Sequence, residues 1–426
     1  LAPAVASGRL ARADRDALLA AMTDEVAELV LANNRSQTSA ISVTEADGVA
    51  DLPFQRRLVG LLEKQGRLDR RVETLPDDAG FVERQKAGRP LGRAEIGVLL
   101  AHAKLAAKAD LIGTDLPDDP WFERELFAYF PVEMHAAHAD GIRNHRLRRE
   151  IVTTRLVDAM IDRGGPTVMV RIGDRTGAGP AAVARAFVAV EAIFGLDLLG
   201  LALESLAGRV AGARLVELQR RLREIAIAAT VRLVRGSGPR EPIGASVGRF
   251  LGPIAELTNE FSRRLPERVA ATIARESAAM VADGLPADLA ERLAGLDRAI
   301  EGLDVVAVAA RRGTSVDEVA PVWFALGERL ALDRLVDAAR ALPVGDYFAG
   351  LAIDRAVRTL ADTHRALTVE AIEAGGVEAW ATAEAEAIDR VLAAVDETLA
   401  TGGDPAARVS RFTVAAALVG DLAATR

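Results

Sequence analysis

Apolar residues return every three or four positions along almost the whole chain, and proline and glycine cut that rhythm into helix-sized lengths. Such a period puts one apolar stripe on each helix and leaves little that could alternate as a strand. Leu10, Leu18, Met22, Val26, Leu29 and Val30 open the pattern and predict one helix ending near Asn33 and Asn34, with Thr23 inside it rather than restarting it. Residues 58–62 and 96–111 give short amphipathic helices, punctuated by Pro53, Pro76, Pro90 and Pro117. Residues 114–120 read as a turn, with Pro120 at the first position of a helix over 121–129. Longer helices are expected over 140–163, 180–194, 215–235, 244–261, 266–283 and 287–300. Others follow over 315–332, 335–342, 347–374, 377–399 and 408–422. Only 168–172 and 304–308 carry enough β-branched residues to suggest strands, so the expected class is all-α with little or no β.

Two stretches repeat at a fixed spacing. Val183 and Val319, Ala184 and Ala320, Phe187 and Trp323, Leu196 and Leu332, Asp197 and Asp333, and Leu199 and Leu335 all stand 136 residues apart. Upstream, Arg175 and Arg311, and Gly177 and Gly313, keep the same spacing. Each copy reads as a turn, an amphipathic helix, then Leu-Asp opening a second helix, and a duplicated helical unit follows.

A chain of 426 residues suggests two or three domains or a helical array. Its 53 basic and 61 acidic residues leave a net charge of −8, which argues against a general nucleic-acid or anionic-membrane binder. With no cysteine, disulfides, thiolate metal sites and thiol nucleophiles are excluded. No uncharged apolar run reaches the roughly 18 residues of a membrane span. The chain opens on Leu1 without a secretory pattern, and a cytoplasmic fragment of a longer polypeptide is expected. The only lysines are Lys64, Lys86, Lys104 and Lys108; the other basic residues are arginine.

Candidate chemistry is thin. His135 and His138 would share a helical face, with His145 seven residues beyond, and Glu133 or Asp140 could complete a metal tetrahedron. Surface histidines beside a basic turn are the plainer reading. Gly173, Gly177 and Gly179 precede a helix whose N-terminus could hold a phosphate, but no P-loop ending follows, and a turn with a helix cap suffices. Residues 236–239 fail as a dinucleotide fingerprint in the same way, because Glu241 stands where a further glycine is needed. Arg143, Arg146, Arg148 and Arg149 make the densest positive run, suited to a small anion or to acidic groups on a neighbouring domain, or simply a solvated face. No catalytic motif with recognisable spacing appears.

Several uncommon stretches in order resemble the C-terminal region of the large-subunit, NAD-specific glutamate dehydrogenases of bacteria. They are MTDEV at 22–26, LANNRSQ at 31–37, LDRRVETLP at 68–76, LGRAEIGVLLAHAK at 91–104, DLPDDPWFERELFAYFP at 115–131, HRLRREI at 145–151 and RGGPT at 163–167. The likeness is dense over residues 10–200 and looser beyond. It implies a parent enzyme that oxidises L-glutamate to 2-oxoglutarate and ammonia while reducing NAD. It also implies that the catalytic lysines, the aspartate and the NAD-binding fold lie upstream, so no catalytic, cofactor or metal residue is carried over to this chain, which alone is expected to be inactive. The implied organisation is a tail of the catalytic domain over 1–45, a connecting region over 46–135, and a helical body whose copies occupy 136–285 and 286–426. The upstream catalytic domain and a second copy of the chain are the expected partners. The alternative from the residues themselves is a stand-alone helical interaction module with a small anionic effector site.

Overall fold

In the computed structural model the chain is all-α, and no strand occurs among the described residues; Ala207 and Val210 form one isolated bridge. The structure describes every residue except 237, 239, 260, 262–264, 343–346, 401–403 and 425–426. The reading of the loop at 236–239 therefore falls largely outside the described residues. The chain divides into two compact units. The first comprises Leu1–Ala189, Val216–Ile227 and Gly238–Ala245; the second comprises Val190–Leu215, Ala228–Ser237 and Ser246–Arg426.

In the first unit, the helix Arg93–Leu111 buries Ile96, Leu99, Leu100, Ala103, Ala107 and Leu111, the stripe its sequence period draws. Glu95 fixes where it starts. Its carboxylate accepts from Gly92 N at 2.7 Å and from both Arg84 guanidinium nitrogens at 2.7 and 2.8 Å, so a free amide and a cation share one acid. This helix packs against Thr23–Asp47 and Arg148–Gly164. The N-terminal stretch does restart at Thr23. Arg12–Ala21 ends at Met22, only 5% exposed, and a second helix runs on to Asp47, well past Asn34. The helix expected over 140–163 is also broken, into Ala139–Arg143 and Arg148–Gly164. His145 Nδ1 accepts from Leu147 N at 3.2 Å across the gap.

Both expected strands are helices. Residues 168–172 lie in Val168–Thr176 and 304–308 lie in Gly302–Arg312. Val168, Val170, Ile172, Val305, Val306 and Val308 are all buried, so neither segment shows the polar face that would have marked its period. The repeat at 136 residues extends to these helices. Val168–Thr176, Pro180–Phe194 and Leu196–Glu204 are matched by Gly302–Arg312, Val316–Arg329 and Leu332–Arg340. Gly177 and Gly313 both take left-handed φ at the first turn, +72° and +67°. Gly195 and Ala331 take φ of +61° and +51° at the second. Ala331 holds a backbone conformation that costs a non-glycine residue roughly 1–2 kcal/mol, so the second copy keeps the turn at the expense of strain. Each triplet is then followed by a long helix, Gly212–Gly236 and Tyr347–Glu373, beyond the residues that repeat in sequence.

In the second unit, Tyr347–Glu373 packs on Pro405–Ala424 and on Val316–Arg329. Trp323, Trp380, Phe412, Leu335 and Leu367 are among its most deeply buried side chains. The segment expected as one helix over 377–399 breaks at Glu384 into Val377–Ala383 and Ala385–Leu399.

Candidate functional site

The arginine run is spent largely on the chain's own acids. Arg143 pairs with Glu123 at 2.6 Å and lies over the Phe127 ring at 5.3 Å. Arg149 pairs with Asp118 and donates to the carbonyls of Ile112 and Thr114 at 2.8 and 2.7 Å. Arg148 approaches Asp118 at 3.6 Å. Arg146 is exposed. The histidines do not converge, because His138 breaks the helical segment that would have aligned them. His135 Nε2 donates to the carbonyls of Phe127 and Phe130, both at 2.8 Å, and its ring meets Phe127 edge-on. No group of three acids or histidines able to hold a metal is found among the described residues. The glycine loop is half helix: Gly173 and Thr176 belong to Val168–Thr176, and Gly177 terminates it. Of the lysines, Lys104 sits between two acids, with Nζ 3.0 Å from Asp158 and 2.7 Å from Asp162.

The densest arrangement of charge lies elsewhere in the first unit, at a junction that sequence reading missed. The Arg223 guanidinium, 2% exposed, donates to Asp47 Oδ2 at 2.8 Å and Thr44 Oγ1 at 3.0 Å. It also donates to the carbonyls of Ala40 at 3.3 Å and Arg163 at 3.2 Å. Arg163 is in the last turn of its helix, so its carbonyl is one of those left over there, and a cation also suits the dipole. Gly165 makes room for this. Its φ is +80°, and a Cβ there would stand 3.1 Å from the guanidinium carbon. Beside it, Arg171 grips Glu224 with two bonds of 2.7 Å and lies 5.2 Å above the Phe54 ring. Burial alone would lift Glu224, but Arg171 holds it below the ordinary carboxylate range.

Asp51 sits in this junction, 5% exposed, with neutral direct partners. Thr167 Oγ1 donates to one carboxyl oxygen at 3.2 Å and Gln55 Nε2 to the other at 3.1 Å. Burial pushes Asp51 up to about 7, further raised by Asp47 and Glu224 and offset in part by Arg171 and Arg223. Asp47 is raised too, by burial, against the pull of Arg223.

A pH dependence follows. An unfolded Asp titrates near 3.8, so between pH 4 and pH 7 only the folded chain holds the Asp51 proton. Raising the pH through that window therefore lowers stability, by on the order of 4 kcal/mol for a shift of this size. His364 in the second unit works the other way. Burial lowers it to about 4, so stability falls as pH drops below 6.5. Across pH 5 to pH 8, urea midpoints should fall further, or rise less, in the parent chain than in Asp51→Asn, the difference between the two slopes being the Asp51 contribution. An unchanged slope in the variant would show that Asp51 does not titrate there.

The second unit carries a pocket of ≈ 60 Å³ in the second repeat copy, enough for a few waters. His364 stacks on Trp323 at 3.6 Å and donates from Nε2 to the Trp323 carbonyl at 2.9 Å. Trp323 Nε1 donates to Glu301 at 3.0 Å, and Glu301 accepts from Arg298 at 2.6 Å. Beneath them Asp304, with 4% of its side chain exposed, takes both Arg232 and Arg365. Crowding of acids shows at Asp337, which burial and its neighbours Asp333 and Asp297 raise against Arg340 and Arg298.

Comparison with known families places these features. The family described as glutamate dehydrogenase, C-terminal, matches residues 88–419. The chain belongs to that family. Residues 1–44 match the catalytic domain of bacterial NAD-glutamate dehydrogenase, so Ala40 and Thr44 stand at the end of one match and Arg223 within the other. NAD-specific glutamate dehydrogenases are similar to the chain over most of its length. That of Mycobacterium tuberculosis is 33% identical over 358 residues, 82% of this chain and 21% of its own length. Those of Pseudomonas aeruginosa and Halomonas elongata are 31% and 30% identical, over 87% and 91% of this chain and 23% and 24% of their own. The chain thus spans about a fifth to a quarter of the relatives it matches. No single described helix of this family member is long and apolar enough to cross a membrane; one pair, Val168–Thr176 and Pro180–Phe194, passes only if joined through a 107° bend.

Proposed function

We propose that this chain is the non-catalytic C-terminal helical region of a cytoplasmic NAD-dependent glutamate dehydrogenase. In the whole enzyme L-glutamate, NAD and water would become 2-oxoglutarate, ammonia and NADH on an upstream catalytic domain, which would hold the NAD. The role of this region is to buttress that domain and to support assembly into a homo-oligomer or its regulation. One observation carries the reading. A single continuous helix, Thr23–Asp47, runs from the catalytic-domain match into the junction around Arg223, so the two parts are built on one rod. Supporting it, the half-buried Lys104 is already neutralised by Asp158 and Asp162, which leaves it poorly placed for carbonyl chemistry.

The test is direct. The purified chain, given glutamate and NAD, should produce no NADH, while the longer polypeptide should turn over. NADH formation by the chain alone would move the chemistry into these residues and end the proposal. The rival reading, a stand-alone module binding a small anion at the arginine run, is weakened by the acids already on Arg143, Arg148 and Arg149.

A further inference from the structure

The helix Thr23–Asp47 treats one face in two ways. Towards its C-terminal end Ala40, Val43 and Thr44 are buried, and the helix packs on Arg93–Leu111 and Arg148–Gly164. From Ala40, steps of three, four, three and four residues carry the same stripe back through Gln37 and Asn33 to Val30 and Val26, with Leu29 seven residues before Ser36 and fourteen before Val43. Here the cover stops. Every residue from 26 to 35 is exposed, and Val26, Leu29 and Val30 show 45%, 38% and 55% of their surface. Leu19, on the preceding helix, is 46% exposed. Scattered apolar residues on a surface need no explanation, but a stripe that continues a buried one on the same helix does.

We infer that this face is the seat of the rest of the catalytic domain of the same polypeptide; this rests on the reading above. The exposed stripe falls inside the stretch that matches the catalytic domain, residues 1–44, and burial on this helix sets in at Ala40, within the last few residues of that match. The relatives carry about four fifths of their length outside the part this chain covers, which is ample to supply a cover. A second copy of the chain fits less well. A stable interface between separate proteins needs roughly 800 Å² per partner, more than a few side chains on one helix provide. A tethered domain does not meet that threshold, because its effective concentration is set by the linker, at millimolar scale.

Hydrogen–deuterium exchange tests this without depending on catalysis. Amides of residues 26–35 should exchange at least about tenfold more slowly in the longer polypeptide than in this chain alone. Val26→Asp with Val30→Asp, on a face already in water here, should leave the helicity of this chain intact and abolish the protection in the longer one. Equal exchange in both proteins would overturn the docking. So would protection in this chain alone that fades on dilution, since that would identify a second copy as the cover. Protection in a longer polypeptide that makes no NADH from glutamate would keep the docking and remove the proposed reaction.

Discussion

Replacing Arg223 by Met should cost the first unit about 3–5 kcal/mol. The side chain is 2% exposed and serves four acceptors, Asp47, Thr44 and the carbonyls of Ala40 and Arg163. Methionine fills much of the volume but donates to none of them. The loss should fall at the lower end, because Asp47 retains Arg220 at 3.0 Å. Urea titration followed by circular dichroism reads the change as a lower midpoint with an unaltered slope. A loss below about 1 kcal/mol would mean that water reaches the junction and replaces the guanidinium.

The second large effect belongs to Asp304→Ala. Its carboxylate, 4% exposed, is the shared partner of Arg232 and Arg365, whose side chains are 19% and 24% exposed. Removing it strands two guanidiniums in a poorly hydrated place, and a cost of about 3–5 kcal/mol is expected. Arg365 keeps Asp362, so the burden falls on Arg232. The repeat supplies a control, since the position 136 residues earlier is Val168, fully buried. Changing Asp304 to Val together with Arg232 and Arg365 to Leu should recover most of the loss, because an apolar set of matching volume avoids desolvating charge. If the triple variant is no more stable than Asp304→Ala, the network contributes more than its own satisfaction.

What the sequence showed and what it hid divide along a physical line. Helices with one wet face were readable, as in Arg93–Leu111, because burial of a stripe leaves its period in the residue order. The repeat was readable for the same reason: Phe187 and Trp323, or Leu199 and Leu335, fill equivalent buried places. Residues 168–172 and 304–308 were misread because these stretches of their helices are covered on nearly every side, and period cannot then distinguish helix from strand. The break at Met22 was missed because a buried methionine extends an apolar period rather than interrupting it. The junction at Arg223 could not be read at all. Its partner Asp47 lies 176 residues away, and a lone sequence carries no sign of such a pairing beyond a polar residue next to Leu222 on an otherwise apolar stripe. The arginine run at 143–149 was conspicuous for the opposite reason. Adjacent charge is easy to see, yet here its acids lie nearby on Glu123 and Asp118.

The way the two units share the chain bears on how such a protein is made. The first unit uses Leu1–Ala189, then takes Val216–Ile227 and Gly238–Ala245 after the thread has left for the second. Neither is a segment that one cut could release whole. On a ribosome, Ala40, Thr44 and Asp47 emerge ahead of Arg223 and stay without their guanidinium until it follows, some 180 residues behind Ala40. At the usual pace of translation, about 5–20 residues per second, that is a wait of roughly ten seconds or more. The nascent protein therefore carries an unfinished polar junction, with Val26, Leu29 and Val30 exposed on the same helix, for the whole of that interval.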